Sequence, residues 1–390
     1  MKILYIYFHS YTDMPYHVKE WIDAAAELKH DITLLTSLSP EFLKKINFNS
    51  SIKIIQVEYP GSGIRNYFKL YKNFRQKISL TVSSQKFDLI YERFSQISNA
   101  TAASVKNRNI PYCVEVNGII ENELALSGAS SARQYFFRYI QKKVYQSCDR
   151  IITVTEQIRE WIHTRYSIPE NTIKTFNNGV NVKTFRPFDK IESRKKFNLP
   201  SDKFIVGFLG SLFPWNGLPH LIEAAEIIIK KYPDTLFLIG GGQEPMKSEL
   251  EDSVNKKKLN DCFIFSGQIE WEDAPVFIST FDIAALPADF KQLSSGISPQ
   301  KLYSYIACGK PVIASDTPGL PDFFRKYNIG LIFKSGNPAD LAEKVFILRN
   351  MPEDQLKKFS LNARNCAVEN HSWEKIVRNS IDWIISERTA

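Results

Sequence analysis

The chain has 390 residues, 44% of them hydrophobic and 24% charged, which excludes a small peptide module and a disordered chain and predicts roughly two to three domains, each with its own core. Five scattered cysteines, Cys113, Cys148, Cys262, Cys308 and Cys366, form no Cys-x-x-Cys pair, which argues against a disulfide framework or zinc module and for a reducing cytosol. The net charge of +8 sits wholly in residues 1–185, with 24 Lys and Arg against 16 Asp and Glu, while the remainder holds 26 of each; the basic half therefore suits an anionic partner, whether lipid, nucleic acid or acidic sugar.

In chain order, apolar runs of strand length alternate with helical patterns, the signature of βαβ units. The first half offers strands at 3–8, 31–36, 53–57, 89–91, 112–116, 151–154 and 172–176, with a helix at 17–28. Met1 to Phe8 is too short for a secretory leader, and no stretch approaches the roughly 18 apolar residues of a membrane helix, so a cytoplasmic location is expected. A polar, proline-containing stretch from Lys183 to Pro200 reads as the seam. Strands follow at 204–209, 236–239, 263–265, 283–286, 311–314 and 330–333, with helices at 218–231, 299–307 and 373–386. The fold class is α/β: two doubly wound, Rossmann-like domains. Ligands of such folds bind at the carboxyl ends of the strands.

Neither half carries Gly-x-Gly-x-x-Gly after its first strand, and no Walker motif occurs, so hydride transfer and P-loop hydrolysis are poor readings. Two segments have the character of anion sites. Val206 to Leu218 runs from a strand through the glycine turn at Gly210 to a helix start at Gly217, where free N–H groups and the helix dipole would hold phosphate. As an ordinary β-to-α turn it needs no ligand. In Ser294-Ser295-Gly296-Ile297-Ser298-Pro299-Gln300-Lys301, Ser298 reads as an N-cap and Lys301 falls in the first helical turn, a poor place for a cation unless an anion shares it.

Asn177-Asn178-Gly179-Val180-Asn181, Gly210-Ser211-Leu212 with Trp215-Asn216-Gly217, Gly240-Gly241-Gly242-Gln243-Glu244, Phe265-Ser266-Gly267, and Ser298-Pro299-Gln300-Lys301 running on to Ala307-Cys308-Gly309 together resemble the ordered landmarks of the retaining glycosyltransferases of family 4, which have the GT-B fold. The resemblance covers nearly the whole chain. It implies an acceptor-binding domain at 1–185, a nucleotide-sugar-binding domain at 186–370, and a C-terminal helix in 371–390 crossing back to the first. It also implies a nucleotide-sugar donor and a glycan or lipid-linked acceptor, with no cofactor and no metal. The absence of Asp-x-Asp and of any ligand-spaced histidine pair agrees.

Carried over by position, the donor site comprises Gly210, Ser211, Asn216, Gly217, Gly267, Ser295, Gly296, Ile297, Ser298, Lys301 and Ser304. Lys301 and Asn117 are the catalytic candidates, and Asn178 and Gly179 lie at the hinge or cleft. The family's diphosphate-clamping Arg and Lys are here Ser211 and Asn216, and its two carboxylates are Gly296 and Ser304. That implies weakened donor binding, another contact to the ribose, or a catalytically silent relative acting as a binding protein. Asn117 stands where many members have a donor-facing histidine. Glu115, Glu121 and Glu123 lie near it, and Glu115 reads either as a group orienting an acceptor hydroxyl or as a solvated strand-end carboxylate. Residues 64–78 hold five basic residues and no acid, and residues 133–143 interleave Arg133, Arg138, Lys142 and Lys143 with aromatics. Such helices either lie on an anionic membrane or pack on the core with solvated basic faces. No nucleic-acid motif accompanies them.

Overall fold

The computed structural model describes residues 1–8, 16–61, 63–106, 108–121, 124, 128–242, 244–289 and 300–386. They form two compact units: the first holds the described residues of 1–178 together with those from Trp373 onward, the second the described residues between 179 and 372.

The first unit contains a seven-stranded sheet of β1 (Lys2–Tyr7), β2 (Asp31–Thr36), β3 (Lys53–Gln56), β4 (Leu89–Arg93), β5 (Tyr112–Val116), β6 (Arg150–Thr153) and β7 (Ile173–Thr175). All pairs are parallel, in the order β3-β2-β1-β4-β5-β6-β7. Helices cover both faces, which explains the unbroken apolar runs. Leu4 and Ile6 join one core cluster and Ile3, Tyr5 and Tyr7 the other, following the two-residue period of the strand. The C-terminal helix Trp373–Ile385 belongs to this unit: Trp373, Val377 and Ile381 share a cluster with Val18, Trp21 and Ile22 of the helix Tyr16–Glu27.

The second unit has six parallel strands, β8 (Phe204–Leu209), β9 (Thr235–Gly240), β10 (Phe263–Gly267), β11 (Ile283–Leu286), β12 (Val312–Ser315) and β13 (Gly330–Phe333), in the order β10-β9-β8-β11-β12-β13. In each sheet the order reverses beside the first strand, between β1 and β4 and between β8 and β11. A crevice opens at the carboxyl ends of such a pair.

The stretch expected as the seam is instead part of the second unit. Phe185 is 1% exposed, and Asp189 caps a helix Lys190–Lys196 through its side chain. Arg194 on that helix is 2% exposed. Its Nε donates to the Thr280 carbonyl at 3.0 Å, Nη1 to those of Ser201 and Lys203 at 2.9 and 3.0 Å, and Nη2 to Asp282 Oδ2 at 2.7 Å. The polar composition that suggested a linker thus reflects one guanidinium saturated by carbonyls and a carboxylate. Arg194→Met removes the donor to three carbonyls and leaves Asp282 without its buried counter-charge, with Ile205 N still donating to Oδ2. It should cost about 3–5 kcal/mol, read as a lowered urea midpoint at unchanged slope.

Candidate functional site

In the second unit, the glycine turns after β8, β9 and β10 lie side by side. Gly210 N donates to the Gly240 carbonyl at 2.9 Å and Gly241 N to that of Gly267 at 2.8 Å. Tyr305, fully buried, fixes the end of β8: its Oη accepts from Leu209 N at 2.9 Å and donates to Leu209 O at 3.1 Å. Tyr305 belongs to the helix Gln300–Ala307, so the same bond sets that helix, and Lys301 in its first turn, against the turn at Gly210.

Lys301 lies over the Phe208 ring, with Nζ 5.5 Å from its centre. Nζ donates to Asn216 Oδ1 at 3.0 Å, and Asn216 Nδ2 in turn donates to the Ser211 carbonyl at 2.7 Å. Asn216, buried among these groups, has lost the family's cation but aims the one that remains. Gly210 is required for steric reasons: its φ is +150°, and a Cβ there would lie 2.0 Å from Lys301 Cε. Burial holds the Lys301 ammonium down to about 8. An ammonium in this position has one of its three donors engaged by Asn216, and Gln300 Nε2 beside it is buried without an acceptor among the described residues. Sequence reasoning missed Gln300 because a first-turn glutamine gives no sign of whether its amide is satisfied.

The helix start at Gly217 offers less than expected. Gly217, at φ +68°, caps Leu218–Lys231, and a Cβ there would meet the Pro287 carbonyl at 1.8 Å. Yet its N–H is donated to Pro214 O and that of His220 to Gly217 O, while Pro219 has none. The free amides predicted for phosphate are largely consumed, which leaves Lys301 as the stronger attraction for an anion. Ser304 stands one turn beyond Gln300, its Oγ 3.4 Å from the Gln300 carbonyl. Gly267, at φ +68°, has open space where a side chain would be. Ser295, Gly296, Ile297 and Ser298, like Gln243 and Glu123, lie outside the described residues.

In the first unit Asn117 and Glu115 end β5. Glu115 is 6% exposed rather than solvated, because Tyr91 Oη donates to its Oε2 at 2.5 Å and Asn117 Nδ2 to its Oε1. Asn117 therefore serves first to hold this carboxylate. Glu121 is engaged by Tyr166 Oη at 2.6 Å and by Arg138 and Arg165, a packing role. Asn178, buried, lines with Glu115, Tyr91, Trp21 and Trp373 a space of about 10 Å³, room for about one water. Gly179 follows it as the first residue of the second unit.

Residues 189–366 match the profile of the group 1 glycosyl transferases and residues 14–184 that of Glycosyltransferase Family 4. The chain belongs to this family of GT-B glycosyltransferases. MJ1178 of Methanocaldococcus jannaschii, an uncharacterized glycosyltransferase, is 25% identical over 383 residues, which cover 97% of this chain and 96% of that protein. Among solved structures, sucrose-phosphate synthase from Thermosynechococcus elongatus superposes with a TM-score of 0.78 at 20% identity over 98% of this chain and 97% of that one. Anabaena Alr3699/HepE in complex with UDP and glucose gives 0.74 at 16% identity over 99% and 100%. These two likenesses concern the fold.

The lowered pKa of Lys301 has a consequence for stability. The folded chain disfavours the ammonium relative to the unfolded one, so stability should rise as the pH climbs from about 8 toward the ordinary lysine value of 10.5. Buried Lys310, also held near 8, adds to the same slope. Lys301→Met should therefore be more stable than the parent at pH 7 and show a shallower rise, as read from urea midpoints across this range.

Proposed function

We propose that the protein transfers a sugar from a nucleotide-sugar donor to a glycan or lipid-linked acceptor with retention of configuration, in the synthesis of a cell-surface polysaccharide or glycoconjugate. The observation that carries this reading is the Lys301 cation, packed over Phe208, aimed by Asn216 and given no carboxylate among the described residues. A donor diphosphate supplies the missing charge, and in leaving it develops more negative charge, which a preorganised cation stabilises without a bound metal. Gly210, Ser211, Gly217 and Gly267 shape the backbone around that diphosphate, with the segment of Ser295, Gly296, Ile297 and Ser298 completing the site. Gln300 and Ser304 face the ribose side with neutral hydrogen bonds in place of a carboxylate. Asn117, held by Glu115, contacts the sugar. The UDP held by the Anabaena relative makes uridine nucleotides the first donors to test.

A thermal-shift panel of UDP, GDP, ADP, CMP and their sugar conjugates should stabilise the protein with one nucleotide family. Lys301→Ala should weaken that ligand about 10- to 100-fold, the worth of a charge-assisted bond. No response to any nucleotide would overturn the donor site and leave a silent relative that works as a binding protein.

A surface of the first unit supports residence on the cytoplasmic face of an anionic membrane. The helices Ile64–Ser84 and Ser131–Tyr145 meet through Tyr67, whose ring lies 6.2 Å from that of Phe136. Phe74, Tyr67 and Tyr71 turn toward the core, as expected of core-packing helices with solvated basic faces. The exposed aromatics are instead Phe68, Tyr135, Phe136 and Tyr139, Tyr135 at 70%, among exposed Arg65, Lys69, Lys72, Arg133, Lys142 and Lys143. Such a patch can insert rings at the headgroup level, with about 1 kcal/mol per cation near an anionic surface. Sedimentation with vesicles should show binding to phosphatidylserine-containing and not to pure phosphatidylcholine membranes, and Tyr135→Ser/Phe136→Ser should abolish it.

A further inference from the structure

The first unit holds a second cation with an unused donor. Arg93 ends β4 at the point where the strand order reverses. Its Nη1 is buried and has no acceptor among the described residues, nor does Arg93 form an ion pair among them. Glu115 is its register partner on β5, but the bonds its carboxylate oxygens accept come from Tyr91 and Asn117, and none from Arg93 among the described residues. His17 faces the same place: its Nε2 is also buried without a partner, and burial together with the Arg93 charge pushes its pKa well below the ordinary value. The same charge reaches the hydroxyls of Tyr5 and Tyr7, where it opposes the effect of burial. His17 stands in the first turn of the helix Tyr16–Glu27, which carries no acidic residue there. Backbone N–H groups of a first turn lack helical partners and favour an anion.

Arg93 is half-buried, but a guanidinium nitrogen kept from water with no acceptor destabilises a fold unless something binds it. We propose that Arg93 and His17 form an anion pocket, and that the acceptor is therefore an anionic sugar, one bearing a phosphate or a carboxylate. This rests on the glycosyltransferase reading and narrows its acceptor. Arg93 presents a planar fork matched to either oxyanion. His17, neutral in the free protein, gains its proton more readily once the anion is in place. Asn117, with one N–H committed to Glu115, keeps its carbonyl and second N–H for a sugar hydroxyl. Arg93 is thus a specificity-determining residue, and its side of the sheet explains part of the basic excess of this half.

The test is the thermal response of the full chain to glucose 6-phosphate, inorganic phosphate, glucuronate and neutral glucose, with UDP in parallel. Glucose 6-phosphate or glucuronate should raise the melting temperature and glucose should not; which of the two acts tells phosphate from carboxylate. The shift should vanish in Arg93→Met, persist in part in Arg93→Lys, and survive Lys301→Ala, which separates this pocket from the donor site. Without ligand, Arg93→Met should melt no lower than the parent, because a buried unpaired charge has been removed. The proposal falls if no sugar anion shifts the parent, if the shift survives Arg93→Met or is lost in Lys301→Ala, or if Arg93→Met alone melts several degrees lower, which would make the arginine structural. If a nucleotide of the donor panel acts and the sugar anions do not, only this inference fails; if no nucleotide of that panel acts either, the donor-site reading fails with it.

Discussion

A cation removed from water must find compensating oxygen atoms, and the way each buried cation does so divides this protein into scaffold and site. Arg194 has four acceptors. Arg364 donates to the carbonyls of Phe185, Ala307 and Val182, and Lys310 to those of Ser279 and Phe281, both at 2.8 Å. These groups tie loops to strands, and no ligand could improve on their satisfaction. Lys301 and Arg93 differ in kind: each follows or ends a strand beside a reversal of strand order, and among the described residues Lys301 has a single hydrogen bond, to Asn216, and Arg93 Nη1 has none. The desolvation cost is the same physics in both classes; what differs is whether the fold itself meets it.

The parallel sheets explain why the idle donors collect where they do. In an all-parallel sheet every strand delivers its following turn to one edge, so polar side chains gather there while both faces stay apolar. The packing residues of each sheet then act at a distance on the site. Tyr305, by bonding both backbone atoms of Leu209, fixes the spacing between the Gly210 turn and the helix of Lys301. Tyr91 does the equivalent in the first unit by fixing the Glu115 carboxylate through its Oε2.

Much of this was legible in the sequence. Apolar runs located the strands because a sheet buried on both faces needs them unbroken, and the helix at 218–231 was bounded by Gly217 and the run of lysines. The conflict of Lys301 with its helix dipole marked that residue as a candidate from local rules alone. What stayed hidden is what depends on partners. Polar composition at 183–200 cannot reveal that Arg194 is saturated from residues 201, 203, 280 and 282, nor can Glu115 announce that Tyr91, 24 positions away, turns it inward. Asn216 looked like a lost cation, and only its bond to Nζ shows it positioning the one that remains. Arg93 escaped notice because Leu-Ile-Tyr-Glu-Arg reads as a strand running out into polar residues, whichever way its guanidinium is used.

The loss of the family's other charges then has a physical reading. Two or three cations packed at the Gly210 turn would repel one another and each would need desolvation, so such a site holds them only at the expense of stability or with an anion always present. A single lysine over an aromatic ring, aimed by an amide, keeps the free protein tolerable because its pKa has already dropped to about 8. At neutral pH the group is still mostly an ammonium, so the cost of its burial is only partly relieved and an anion beside it would lower that cost further.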